Sequence, residues 1–583
     1  MNLRPLCLAL LTCLIAPSNA HPGDPAITAQ VWLPSPEDHA PSAQRLAPLL
    51  NRYQTDLYSL LHVHDIEWGP ARAAALEAFY LAWQERLQAM DFDQLALEDR
   101  IDWTLWRDEL RNQRRLLAFQ QKRLQEVNAL LPNLDALLQL AEARRALQQA
   151  DGQRSGEILD ATRAAIEDVR QSLKQPTPEI STTTPAQAQR AVRILNTTLA
   201  SMREWHAHQD GFDPAFSYWT RKPFEAYVDA TEALIKDIQR TLAHTEDPEV
   251  IVGDPIGREA LLAELESARI PYSPERLLTI AQRELAWCRD EMQKAAKEMG
   301  FEHWQDALEA VKQRSPAPGQ QPDLVVQLAD EAIRYVSENQ LVTVPDLSRR
   351  DWRMNMLSPQ AQLEAPFFLG GEDVWVAYPH DSMPHLKKRM ALRGNNRHFS
   401  RAVVHHELIP GHHLQHFYNS RYQAHRQLFA TPFWTEGWAL YWEMFLYQRG
   451  FAQSPEDRIG MLFWRSHRAA RIQFSLAFHL GKMSPQQAVD FLVDEVGHER
   501  ENAAAEVRRS FNGDWSPLYQ AAYMLGGLQI RALRMEMVDS GRMSDLQFHD
   551  QILRGGPMPI DLVRARLLGT LEDPDAHWHF DGN

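Results

Sequence analysis

The stretch Val403-Val404-His405-His406-Glu407-Leu408-Ile409-Pro410-Gly411-His412-His413-Leu414-Gln415-His416 is the densest chemistry in the chain. Five histidines and one glutamate fall within a dozen positions. In the pattern H-E-x-x-H, two histidines one helical turn apart bind zinc and the glutamate beside the first activates water. Here Pro410 stands four residues past His406, and the next histidine, His412, is six residues on. Six residues are roughly 240° around a regular helix, on the wrong face. His413 is on the right face but about 10 Å along the axis, too far for two imidazoles to share a metal. Proline removes a helical donor and glycine accepts almost any backbone angle. A bulge at Pro410-Gly411 that absorbs two residues would bring His412 back beside His406. The rival pair within the stretch, His412 and His416, shares a face of a regular helix but leaves Glu407 away from the metal.

A second acidic segment, Thr435-Glu436-Gly437-Trp438-Ala439-Leu440-Tyr441-Trp442-Glu443, begins about thirty residues later. Together, H-E-x-x-P-G-H-H-x-Q and E-G-W-A-x-Y-x-E resemble the bacterial family known as domain of unknown function 885. That family resembles the helical gluzincin metallopeptidases, in which a glutamate on a later helix completes the zinc ligands. The resemblance implies Zn2+ held by His406, His412 and Glu436, with Glu407 as general base. His405 and His413 fit supporting or packing roles, and Glu443, seven residues past Glu436, could orient a ligand histidine. Tyr519-Gln520-Ala521-Ala522-Tyr523-Met524-Leu525-Gly526 resembles the family's Q-A-x-x-Y-x-x-G segment, which makes Tyr523 the candidate oxyanion donor. Met524 stands where the family usually has Lys. Arg508 and Arg509, just upstream, could meet a substrate carboxylate.

The implied fold is mainly α: a large helical body with a small β element beside a zinc site, in a gluzincin-like cleft. The implied function is an exported zinc peptidase acting on short peptides and excluding folded proteins. The alternatives are a peptidase-like binding protein without catalysis, and a zinc hydrolase of a non-peptide amide.

The remaining sequence agrees with this frame. The 583 residues are 44% hydrophobic, ample for a large core. A net charge of −16 argues against nucleic acid as partner. Residues 1–20 read as a signal peptide, with Arg4, an apolar run Leu6–Ile15 and small residues Ser18 to Ala20; cleavage there gives a periplasmic or secreted chain. Lipidation at Cys13 is disfavoured by Thr12 before it. No other segment reads as an integral membrane span. Only Cys288 lies outside the signal, so no intrachain disulfide is expected in the mature chain. Residues 21–340 read as a helical body and 341–583 as the catalytic region. Val342–Pro345 and Val374–Tyr378 read as short strands. Helices are expected from Asn396–Ser400, from a Thr435 cap, and over 455–482, 485–511, 517–540 and 544–554. Residues 573–583 read as a loose tail.

Overall fold

Seven helices among the described residues begin in the same way. Thr177, Thr184, Asp213, Ser273, Thr431, Ser454 and Ser484 each accept a hydrogen bond from a first-turn backbone N–H, and each is followed by proline. The cap satisfies a donor that the helix leaves open, and proline has no N–H to leave unsatisfied there. These starts punctuate a computed structural model that describes residues 46–580 apart from 176, 248, 364–366, 369 and 514. The signal-peptide reading of residues 1–20, with Cys13, falls outside the described residues. Among those described there are 22 α-helices and one two-stranded sheet, so the fold is mainly α as expected. No described helix is long and apolar enough to cross a membrane.

Three cores hold the described helices. The largest joins residues 46–110 and 288–344 to both motif segments and to residues 548–571. A second is built almost wholly from residues 127–243, where Gly152–Lys174 packs along Pro214–Ile238. A third joins the helices Pro274–Glu298, Pro432–Gln448, Pro455–His479 and Tyr519–Arg534. Residue 340 therefore does not separate one core from another: much of the N-terminal body packs directly against the motif helices.

The central element is Pro432–Gln448. Every residue from Glu436 to Leu446 is buried, so the helix is covered on all sides, as its tryptophans at four-residue spacing (Trp434, Trp438, Trp442) require. It starts at the Thr431 cap, so Thr435 is not a cap and Glu436 lies in the second turn. Tyr519–Arg534 crosses it backbone to backbone. A Cβ on Gly437 would stand 2.6 Å from Gly526 Cα, and one on Gly526 would stand 2.8 Å from Gly437 Cα. Only glycine at both positions allows this approach.

Several expectations are corrected. Met354–Met356 and Val374–Val376 form a parallel pair, Met354 opposite Val374 and Met356 opposite Val376. Val342–Pro345 is not a strand; the Thr343 N–H and hydroxyl instead donate to Asp550 at 2.9 and 2.6 Å, which ties this segment to the C-terminal helices. The stretch 485–511 is two helices, Pro485–Val496 and Arg500–Phe511, divided where Gly497 turns to φ +84°. A further helix, Ile560–Leu568, follows. The tail is anchored: Arg269 donates to the carbonyls of Pro574 and Ala576, and Phe580 is buried.

Candidate metal centre

The helix Arg397–Glu407 begins at Asn396, whose side chain accepts from His398 and Phe399 N–H, and stops at Glu407. The next helix begins at His412. Between them Gly411 N–H donates to His405 O, and Leu414 N–H to Leu408 O. Both bonds span six residues where a regular helix spans four, so the turn absorbs the two extra residues. The turn has little freedom. A Cβ on Gly411 would lie 2.5 Å from the His406 carbonyl carbon and 2.6 Å from His405 O. Trp438 Nε1 donates to Pro410 O at 2.9 Å, and Gln415 Nε2 to Trp434 O at 3.2 Å. The motif tryptophan and glutamine thus lock the two segments together.

This turn brings His412 beside His406, with ring centroids 4.8 Å apart and planes at 89°. Glu436 Oε2 is 3.1 Å from His412 Nε2 and 3.5 Å from His406 Nε2. Two ligands about 2.0–2.1 Å from a tetrahedral zinc lie about 3.3 Å apart. Glu436 therefore stands from each histidine at the spacing such an ion needs, and two imidazoles with one carboxylate are a suitable donor set. Ligand atoms of His406, Glu407 and His412 also lie within 4.8 Å of one another. His416 is not part of this cluster.

The surroundings set the ionisation. His406 Nδ1 donates to Glu443 Oε1 at 2.7 Å, which leaves Nε2 facing Glu436. Burial disfavours the His406 cation, but the bonds to Glu436 and Glu443 outweigh it and raise its pKa to about 9. Burial also opposes the Glu436 anion, yet His412 and His406 hold it well below the usual carboxylate range. Glu407 goes the other way: burial pushes its carboxyl up, against the pull of His406 and His412. Gly370 lies against it, where a Cβ would stand 3.1 Å from Glu407 Cα.

Tyr523 lies parallel to His406, centroids 6.1 Å apart, with Arg468 and Arg471 over its ring at 4.7 and 4.5 Å. Its hydroxyl donates to Tyr519 Oη at 3.2 Å, and Tyr519 donates to Glu436 Oε1 at 2.5 Å. Burial raises the pKa of both phenols, so both remain donors. Tyr519 is the closer partner of Glu436 and was not singled out by sequence; its place one helical turn before Tyr523 is the signal for it. Arg468 and Arg471, on Pro455–His479, carry no sequence signal linking them to the motifs.

Two of the other three histidines of the stretch, His405 and His413, turn away. His405 is fully buried with neither ring nitrogen bonded, edge-on to Phe451, and burial lowers its pKa to about 4. His413 bonds Glu372 O, Ser348 O and Asp351 Oδ1, tying the loops around the small sheet to the second motif helix. Beside it a cavity of about 570 Å³ is lined by Asp351, Glu372, Asp373, His416 and Thr435.

A mainly helical fold with a buried His-Glu-His cluster across an interrupted helix is thus the class to which the chain answers. The chain belongs to the family described as "Bacterial protein of unknown function (DUF885)", whose model matches residues 63–567. Solved structures share the fold. One, titled "The structure of a putative lipoprotein of unknown function from Shewanella oneidensis", is 18% identical with a TM-score of 0.67, covering 91% of this chain and 100% of that one. Another, described as a lipoprotein from Colwellia psychrerythraea, is 16% identical with a TM-score of 0.60, covering 91% of this chain and 99% of that one. No curated protein matches the sequence.

Proposed function

We propose that this chain is an exported zinc-dependent peptidase that hydrolyses short peptides. The observation that carries the reading is the convergence of His406, His412 and Glu436, with Glu436 at tetrahedral spacing from each histidine and Glu407 alongside. A zinc ion bound there would supply an acidified water and polarise the scissile carbonyl. Glu407 would accept the proton from the attacking water and hand it to the leaving amine; its raised pKa suits both steps. Glu443 fixes the His406 tautomer, and Tyr519 holds one Glu436 oxygen so that the other faces the histidines. Tyr523, protonated and above His406, is the candidate donor to the oxyanion. The four central residues are only 2–8% exposed, which favours thin, unfolded substrates over folded proteins. The helical gluzincin peptidases that the motifs resemble supply the reaction class. Export rests on the reading of residues 1–20, and the lipoprotein descriptions of the structural relatives agree with it.

The test is metal analysis of the mature protein together with cleavage of a mixed peptide library. About one zinc per chain and hydrolysis lost by several orders of magnitude in Glu407→Gln, with zinc retained, is the expected result. Zinc retained without hydrolysis in the wild type would point to a binding protein. Loss of zinc in Glu407→Gln would make Glu407 a ligand and overturn its role.

A further inference from the structure

The tyrosine side of the centre is lined by three guanidinium groups, parts of which have no hydrogen-bond partner. Arg468 and Arg471 flank Tyr523, and Arg509 lies 5.2 Å over the ring of Trp515. Trp515 in turn packs on Tyr519 with centroids 4.3 Å apart, and Tyr519 holds Glu436. Arg509 is therefore two aromatic rings from a candidate zinc ligand. Three carboxylates, those of Glu506, Glu443 and Glu407, face these guanidinium groups. Glu506 pairs with Arg471 at 2.7 Å. Glu443 lies 3.7 Å from Arg468 but is bonded more closely, at 2.7 Å, to His406. Among the described residues Arg509 forms no ion pair, and its Nε is buried without a hydrogen-bond partner. Arg468 Nε and Arg471 Nη1 are likewise buried and unpartnered, in side chains more than nine-tenths buried.

A buried guanidinium N–H without a hydrogen-bond partner is costly even with Glu506 nearby, and the planar fork matches a carboxylate with two parallel bonds. Trp515 is 42% exposed and Arg509 is partly exposed where Arg471 is buried, so a ligand has an approach to this guanidinium that Arg471 lacks. Stacking on Trp515 holds the fork in place before anything binds.

We propose that Arg509, backed by the fixed charges of Arg468 and Arg471, is a subsite for the substrate's free C-terminal carboxylate, which places the scissile bond near that end of the peptide. This rests on the peptidase reading for its meaning, but the binding itself is measurable without turnover. A substrate so held gains directional selection: peptides with a free acid terminus are favoured over amides and over internal segments of long chains.

The experiment uses the full-length mature chain carrying Glu407→Gln, with and without Arg509→Gln or Arg509→Lys. Three pentapeptides are titrated calorimetrically: a free acid, its C-terminal amide, and the amide with glutamate as its last residue. The free acid is expected to bind about tenfold tighter than the amide, the worth of one hydrogen-bonded charge pair. Arg509→Gln should abolish that ratio and Arg509→Lys should retain part of it. If the glutamate-terminated amide binds as tightly as the acid, the subsite stands and also accepts a side-chain carboxylate. Equal binding of acid and amide with Arg509 present, or equal weakening of both by Arg509→Gln, overturns the proposal. Absence of hydrolysis by the wild type in a parallel assay counts against the peptidase reading alone, since the acid-to-amide ratio is read without turnover.

Discussion

Replacing Gly411 by alanine puts one methyl group into the tightest point of the centre. The new carbon would stand 2.5 Å from the His406 carbonyl carbon and 2.6 Å from His405 O. Carbon atoms rest at about 3.5–4.0 Å, and the His406 carbonyl oxygen lies closer still, so the two arms of the turn must part by more than about 1 Å. Both obstacles are backbone, and neither can rotate aside. The residue displaced is His412, which follows immediately. Zinc sites tolerate ligand errors of only about 0.2 Å, so the displacement exceeds the tolerance several-fold. Moving a ligand costs more than losing an outer-shell partner, which already weakens a metal by about 10–100-fold; a loss of at least about 100-fold in zinc affinity is expected. The overpacking itself should cost about 1–3 kcal/mol of stability, well short of unfolding the chain. Competition with a chelator measures the affinity, and circular dichroism with thermal melting checks the fold. Wild-type zinc affinity and melting temperature in Gly411→Ala would refute the argument that this turn creates the centre.

Gly526→Ala tests the crossing in a different way. Its Cβ would stand 2.8 Å from Gly437 Cα, so the two helices must separate and the Tyr519–Glu436 bond must lengthen. A stability loss of about 1–3 kcal/mol in denaturant melts is expected, with zinc binding reduced far less than in Gly411→Ala. The stability of the chain should also fall on acidification because of His549. Buried, it accepts from Tyr441 and donates to Leu341 O, and burial lowers its pKa to about 4. Its neutral form is favoured by the fold, so its contribution is complete above the unfolded value of about 6.5 and is lost as pH falls toward 4, at up to about 1.4 kcal/mol per pH unit. His549→Gln, which cannot titrate, should flatten the slope of unfolding free energy against pH between 6.5 and 4.5; an unchanged slope would place the proton elsewhere.

Much of the centre was legible because its signals are local. The six-residue histidine spacing together with Pro410-Gly411 requires an interrupted helix, and the Arg397–Glu407 and His412–Asn419 helices have that interruption. The Asn396 cap is equally local. What escaped depends on tertiary partners. Val342–Pro345 has the composition of a strand, but Asp550, some two hundred residues away, takes the backbone donor that a sheet would need. Thr435 has the chemistry of a cap, yet Thr431 stands before Pro432 and takes that place first. Residues 485–511 have helical composition throughout, and Gly497 divides them. Tyr519, Arg468 and Arg471 join the centre only because helices distant in sequence cross there, and no spacing within one segment encodes a crossing.

The proline-led helix starts have a consequence for the unfolded chain. Each proline holds its φ near −65° whether or not the helix exists, so the disordered ensemble is already narrowed at the seven points where helices must begin. Where the native angle suits proline, that narrowing contributes about 0.4–1 kcal/mol per site by lowering the entropy of the unfolded state. A disulfide acts on the same side of the equilibrium by joining distant parts of the chain. Cys288 is buried and alone among the described residues, so here the restriction is applied locally and repeatedly, with no dependence on the redox state of the compartment.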